Sequence, residues 1–136
     1  MGEYGGIAAA MATLVVSLTA AFTAGYSLPT LDAKATSAVT AAAKAKHVSS
    51  AEAKAAYANA PYRKPVLRYL YAVAWVSAAS DKTKCHAQLL LGGDPKAAAA
   101  AAIKRSPKML ARVKAAHITI SQASTALARG LTDGCG

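Results

Sequence analysis

The sequence predicts an all-α protein in which a hydrophobic, transmembrane N-terminal helix is followed by a small Ala-rich helical bundle. Alanine, the strongest helix former, supplies 37 of the 136 residues. No segment alternates convincingly between apolar and polar residues; the short run 118–121 is the only candidate strand, and a helical apolar stripe passes through it. We therefore predict a membrane anchor over residues 1–30 and a basic helical domain over residues 31–136.

The anchor is predicted from the absence of charge. Residues 4–31 form an uncharged run of 28 residues, whereas a helix of about 20 residues spans the hydrocarbon core. Its many small residues suit close helix contact inside a membrane assembly, and Pro29 ends the segment. A secretory signal peptide cut after Ala21 is an alternative, although the start carries Glu3 and lacks a basic n-region. A buried helix of a soluble protein is another.

The next two helices are predicted from composition and capping. Residues 32–47 are rich in Ala and Lys, which favours a helix with little apolar surface of its own. The chain breaks near Val48, because Ser49 and Glu52 have the spacing of a capping box. The helix that starts there runs to Asn59, before Pro61.

Prolines and glycines delimit the remaining helices. Pro65 begins a helix that extends through Leu91 to a stop at Gly92-Gly93. Asp94-Pro95 and Ser106-Pro107 each combine a capping side chain with proline at the first helical position. The last helix runs from Pro107 to Arg129, with one apolar face and with Gly130 as its C-cap.

The charge balance favours anionic partners. Sixteen Lys and Arg against six Asp and Glu give a net charge of +10, which suits lipid head groups, nucleic acid or an acidic subunit. Nucleic acid is disfavoured, because the cations are spread along the chain and neither a recognition helix nor a stacking platform is found. The acids are scattered singly and no phosphate-binding, nucleotide-binding or hydrolase motif occurs. We therefore predict no catalytic residue and no cofactor.

Residues 61–75 contain four of the eight aromatic residues together with three cations. Positive charge at a helix N-terminus opposes the macrodipole, and a bound anion would remove that conflict. Tyr and Trp also prefer the membrane-water boundary. We predict an anionic-lipid site formed by Tyr62, Arg63, Lys64, Arg68, Tyr69 and Trp75. The alternative is that the aromatic residues form the core of the bundle while the cations are solvated.

The only two cysteines, Cys85 and Cys135, predict one disulfide. It would close a loop of about 50 residues, worth roughly 4 kcal/mol in the chain-entropy model. A bridge places the C-terminal domain on an oxidising side of the membrane, whereas cations following the anchor favour the opposite side; we give the disulfide more weight. Cys85 and His86 with His47 and His117 lack the spacing of a metal site, so none is predicted.

These features together predict a non-catalytic, single-pass accessory subunit that packs against other subunits of a membrane complex and binds an anionic lipid. The layout also resembles that of type IV pilins: Glu3 near the start, a hydrophobic helix with Pro29 near its end, and a disulfide close to the C-terminus. That resemblance implies a filament built from copies of the chain. A secreted helical binding protein, released by signal cleavage, is the third hypothesis.

Overall fold

The computed structural model describes residues 6–21 and 32–136, which confirm the all-α prediction. No strand occurs in these two ranges. Eight helices cover most of them: α1 (Gly6–Ala21), α2 (Asp32–Ala45), α3 (Ser50–Asn59), α4 (Pro65–Ser80), α5 (Lys82–Leu90), α6 (Pro95–Lys104), α7 (Pro107–Ala115) and α8 (Ile120–Cys135).

Helix α4 is the centre of the bundle because it holds the densest set of large apolar side chains. Ten of its 16 residues are buried. It packs most extensively on α8 and also contacts α2, α3 and α5. Helix α6 packs on α8 and on α1, so the core continues from α4 through α8 to the N-terminal helix.

Helices α4 and α8 approach each other closely because α8 presents glycine at the crossing. A β-carbon on Gly130 would overlap the carbonyl oxygen of Tyr71, and one on Gly134 would lie 2.5 Å from that of Trp75. Small residues let two helix backbones come this near. The prediction that Gly130 caps the last helix is therefore wrong: α8 continues to Cys135, and the missing side chain serves packing.

Two long helices predicted from the sequence are each divided in the structure. The predicted helix 65–91 breaks at Asp81, whose Oδ1 accepts a hydrogen bond from the backbone N–H of Lys84 at 3.0 Å and so begins α5. The predicted helix 107–129 breaks at residues 116–119. There His117 has a φ of 59°, and Thr119 and Gln122 form a reciprocal capping box.

The other predicted helix starts are confirmed. Ser49 caps α3, and its hydroxyl accepts from the backbone N–H of Glu52 at 3.3 Å. Asp94 and Ser106 cap α6 and α7, which both begin with proline. Glycines at positive φ follow α5, in agreement with the predicted stop at Gly92-Gly93.

The transmembrane part of the fold prediction is not supported. Within residues 6–21 and 32–136, no helix is both long enough and apolar enough to cross a bilayer. Helix α1 has 16 residues, and Ile7, Met11, Leu14 and Val15 are buried in the shared core, while Val16 is 65% exposed. The predictions about Glu3 and Pro29 fall outside the described residues.

Candidate functional site

The six residues of the predicted lipid site are not gathered at one place. Tyr69 is 3% exposed, and burial raises the pKa of its hydroxyl well above the usual range. Trp75 is half-buried beside Gly134, ten residues along α4 from Pro65, a rise of roughly 15 Å. Trp75 therefore lies away from Arg63 and Lys64, and the Tyr69 ring is enclosed in the core.

Arg68 is engaged by neighbouring residues of the same region. Its Nε donates a hydrogen bond to the carbonyl oxygen of Tyr62 at 2.7 Å, and its guanidinium carbon lies 5.9 Å from the centre of the Tyr57 ring. Both contacts join the first turn of α4 to the segment that precedes it. Arg68 therefore holds the α3–α4 connection, a role that needs no bound anion.

Lys64 connects the start of α4 to the end of α7. Its exposed Nζ donates to the carbonyl oxygen of His117 at 3.2 Å, and His117 follows Lys114 by one helical turn. Exposed cations continue along α7 and at its junction with α6. We call this set the cationic face; its members are Arg63, Lys64, Lys104, Arg105, Lys108 and Lys114.

Four acids whose side chains the structure describes lie at helix starts or beside Arg129. Asp81 and Asp94 cap helices, and Glu52 occupies the first turn of α3. Asp133 lies 3.6 Å from Arg129 and accepts a hydrogen bond from Tyr71. Residues 95–132 contain seven cations and no acid at all. The cationic face therefore presents charge of a single sign to its surroundings.

Lysines also occupy the starts of four successive helices. Lys64 is the N-cap of α4, and Lys82, Lys96 and Lys108 lie in the first turns of α5, α6 and α7. No acid lies in the first turn of any of these helices. Cations oppose the macrodipole at this end. At α5 and α6 the N-cap carboxylates of Asp81 and Asp94 offset this effect, whereas α4 and α7 have no acid at their starts.

Tyr71 and Asp133 form a polar contact between α4 and α8. The Tyr71 hydroxyl donates to Asp133 Oδ2 at 2.6 Å, and the Tyr62 ring packs edge-on against Tyr71 with centroids 6.2 Å apart. Burial and this hydrogen bond raise the pKa of Tyr71, and burial also raises the pKa of Tyr62. Both phenols stay protonated at neutral pH, so Tyr71 joins α4 to α8 as a neutral hydrogen-bond donor to Asp133.

The predicted pairing of Cys85 with Cys135 is confirmed. The two cysteines form a disulfide with their α-carbons 5.8 Å apart, a usual spacing. It ties α5 to the last turn of α8, and Nε2 of the adjacent His86 lies 2.7 Å from the carbonyl oxygen of Cys135. In the described residues, no three His, Cys, Asp or Glu side chains are placed to hold a metal ion.

Comparison of the chain with protein-family models, curated proteins and solved structures found no match. The site therefore rests on this chain's own geometry. The contribution of α6 and α7 to the cationic face was missed when only residues 61–75 were considered. Its signal is in the sequence, in the 38-residue stretch 95–132 that lacks any acid.

Proposed function

We propose that this protein is a non-catalytic accessory subunit that binds an acidic surface of a larger assembly through its cationic face. The observation that carries the proposal is the division of charge. Asp81 and Asp94 cap helices and Asp133 lies beside Arg129, whereas the acid-free stretch 95–132 carries exposed lysines and arginines. Such single-sign surfaces steer association with acidic partners and fix the orientation of docking.

The disulfide supports the compartment that we propose. Bonds of this kind persist in secreted, periplasmic and similar oxidising spaces and are rare where thiols are kept reduced. Cys85 and Cys135 lie 50 residues apart in the sequence, and their bond leaves the chain with no free cysteine. The accessory subunit would therefore work with its helical domain on an oxidising side of a membrane.

Attachment to that membrane is the second part of the proposal. The uncharged run 4–31 is the segment that would provide it. Val16 tests this point well, because its side chain is 65% exposed in the bundle and an aspartate there should leave the fold intact. If the run is inserted, Val16→Asp will release the protein from membranes without detergent, while Val16→Ala will not. Equal retention of both variants would contradict the anchor.

The docking proposal is tested by comparing two triple variants with the same change in charge. Lys104→Gln, Arg105→Gln and Lys108→Gln remove half of the cationic face, whereas Lys44→Gln, Lys54→Gln and Lys82→Gln remove three exposed cations elsewhere. Each tagged protein would be purified from its native membrane at low and at moderate salt. We expect unlike chains at fixed stoichiometry with the wild type and the control, and their loss with the first variant.

Other results of that purification would overturn the proposal. Recovery in sheared filaments of this chain alone would favour the pilin-like hypothesis. A soluble protein without partners, starting near residue 22, would favour the secreted binding protein. Equal loss of partners in both triple variants would mean that total charge matters and the cationic face does not.

A second candidate function is binding of an anionic lipid at Arg63 and Lys64. It is favoured by the exposure of both side chains beside the first turn of α4, where no acid neutralises them. The double variant Arg63→Gln, Lys64→Gln should lower binding to vesicles containing phosphatidylglycerol without unfolding the protein. Unchanged vesicle binding would leave Arg63 and Lys64 as solvated residues of the cationic face.

A further inference from the structure

A cavity of about 180 Å³ lies behind the disulfide, where four helices and one turn meet. Helices α1, α4, α5 and α8 form its walls, and Lys46 reaches it from the turn after α2. Cys85 and Leu131 contribute sulfur and apolar surface. We call this the Gln88 cavity; its polar lining consists of Thr13, Lys46, Ser77, Ser80, Asp81, Lys84 and Gln88.

The charged groups of the cavity are two ammonium groups and one carboxylate. Lys46 and Lys84 come from separate elements of the bundle and meet at this wall. Asp81 is partly satisfied by the fold, because its Oδ1 accepts from the backbone N–H of Lys84 at 3.0 Å. The net charge of these three residues is therefore positive. It arises because Lys46 and Lys84, which are distant in sequence, both line the cavity.

Gln88 is the least exposed of the polar residues that line the cavity. Its side chain is 9% exposed on α5, lines the cavity, and makes no hydrogen bond with any described residue. Ser80 is committed to the backbone, since its hydroxyl donates to the Ser77 carbonyl at 2.7 Å. Because Gln88 lines the cavity, water or a polar ligand held there can supply hydrogen-bond partners to its amide.

We propose that the Gln88 cavity binds a small oxyanion, of the size of inorganic phosphate or a short carboxylate. The ammonium groups of Lys46 and Lys84 would pair with its charge, and the amide of Gln88 and the hydroxyls of Thr13 and Ser77 would donate hydrogen bonds to its oxygens. The volume is adequate: an engineered cavity of about 150 Å³ admits benzene, which has six heavy atoms. This site lies apart from the cationic face and does not depend on the proposed docking function.

The test is a titration of the full-length, oxidised protein with inorganic phosphate, followed by amide NMR shifts at constant ionic strength set with chloride. We expect saturable shifts at the backbone amides of Ser77 and Gln88. Parallel titrations with acetate and with glycerol phosphate separate a free phosphate or carboxylate from a lipid head group. Two results would overturn the site: shifts that rise linearly with phosphate concentration without saturating, or shifts of the same size when chloride replaces phosphate.

Two pairs of lysines make a matched control. Lys46→Gln with Lys84→Gln removes both cations of the cavity, whereas Lys44→Gln with Lys82→Gln removes two exposed cations that do not line it. Because charge-assisted hydrogen bonds are the strong ones, we expect the first pair to weaken phosphate binding roughly tenfold or more and the second to leave it unchanged. Equal weakening in both pairs would show general charge attraction and would refute the site.

Gln88→Leu provides a test that does not change charge. It removes the amide and leaves a side chain of similar size, so phosphate binding should fall while the thermal midpoint stays the same or rises. Undiminished binding with this variant and with the Lys46–Lys84 pair would exclude the Gln88 cavity as the binding site.

Discussion

The α2–α3 turn (residues 46–49) and the α7–α8 turn (residues 116–119) are built from similar residues in different surroundings. Lys44, His47, Val48 and Ser49 correspond to Lys114, His117, Ile118 and Thr119, and Glu52-Ala53 corresponds to Gln122-Ala123. Both histidines have positive φ, 58° and 59°. The N–H of Val48 bonds to Ala43 at 2.8 Å and that of Ile118 to Val113 at 3.3 Å, as in a Schellman C-cap.

The two turns differ in how firmly they are held. Thr119 and Gln122 bond to each other's backbone at 2.9 and 3.0 Å, and Lys64 bonds to His117 from α4. At the α2–α3 turn, the hydroxyl of Ser49 accepts one longer bond. The comparison shows that one local pattern makes the same turn twice, while contacts from distant helices decide how much stability each turn contributes.

The largest difference is expected from the disulfide, which ties α8 to α5 and has no counterpart at α2 or α3. Replacing Cys85 and Cys135 with serine should lower the free energy of unfolding by roughly 4 kcal/mol in the chain-entropy model. Hydrogen exchange should accelerate most in α5 and α8 and least in α2 and α3. Equal acceleration of exchange in all four helices would show that the bundle opens as one unit.

The next largest effect is expected at Gly130 in α8. The corresponding residue after the α2–α3 turn, 70 positions earlier, is Ala60 at the end of α3. Gly130→Ala forces α8 away from the Tyr71 carbonyl and should cost about 1–3 kcal/mol, the range for overpacked cores. Urea unfolding measures this cost. The control is Ala60→Gly; if both substitutions cost the same, the close approach of α4 and α8 is not what makes the two halves differ.

The caps provide a smaller and more direct comparison. Thr119→Ala should destabilise by about 1–2 kcal/mol and Ser49→Ala by about 0.5–1 kcal/mol, because the first loses a reciprocal capping box and the second loses a single bond. Thermal unfolding of the two variants, measured side by side, gives the difference. A larger loss for Ser49→Ala would reverse the proposed order of the turns.

The smallest effects are expected from the histidines. Glycine adopts positive φ without the steric cost that a β-carbon brings, so His47→Gly and His117→Gly should each stabilise by up to about 1 kcal/mol. The bond from Lys64 reaches the backbone carbonyl of His117 and survives the change. Destabilisation of either variant would mean that the imidazole makes an essential contact.

The same comparison explains why one turn was predicted and the other was missed. The α2–α3 turn follows an Ala-Lys segment with few large apolar residues, so Ser49 and Glu52 are prominent. The apolar spacing of Met109, Val113 and Ile120 continues across the α7–α8 turn and hides its capping box. Periodicity reports which face is apolar and is insensitive to a short break that preserves the face.

The residues assigned to the lipid site have different surroundings for a related reason. Arg63 and Lys64 are exposed, because charged side chains in the connection between two helices remain in contact with solvent. Tyr69 and Trp75 were assigned to a lipid interface from composition alone. The surroundings of Trp75 depend on α8, because Gly134, 59 residues further along the chain, lies against its backbone.

The sequence by itself determined the helical class, the caps of α3, α6 and α7, and the single cysteine pair. A helix cap depends on residues a few positions apart, so local hydrogen bonding is enough to predict it. Two cysteines allow only one pairing within the chain. Only the tertiary structure decided that α1 buries its apolar face in the bundle, that Gly130 serves packing, and that Lys46, Lys84 and Gln88 share a cavity. Those outcomes depend on which helix faces dock together, and in an Ala-rich chain many faces are similar enough that local patterns do not distinguish them.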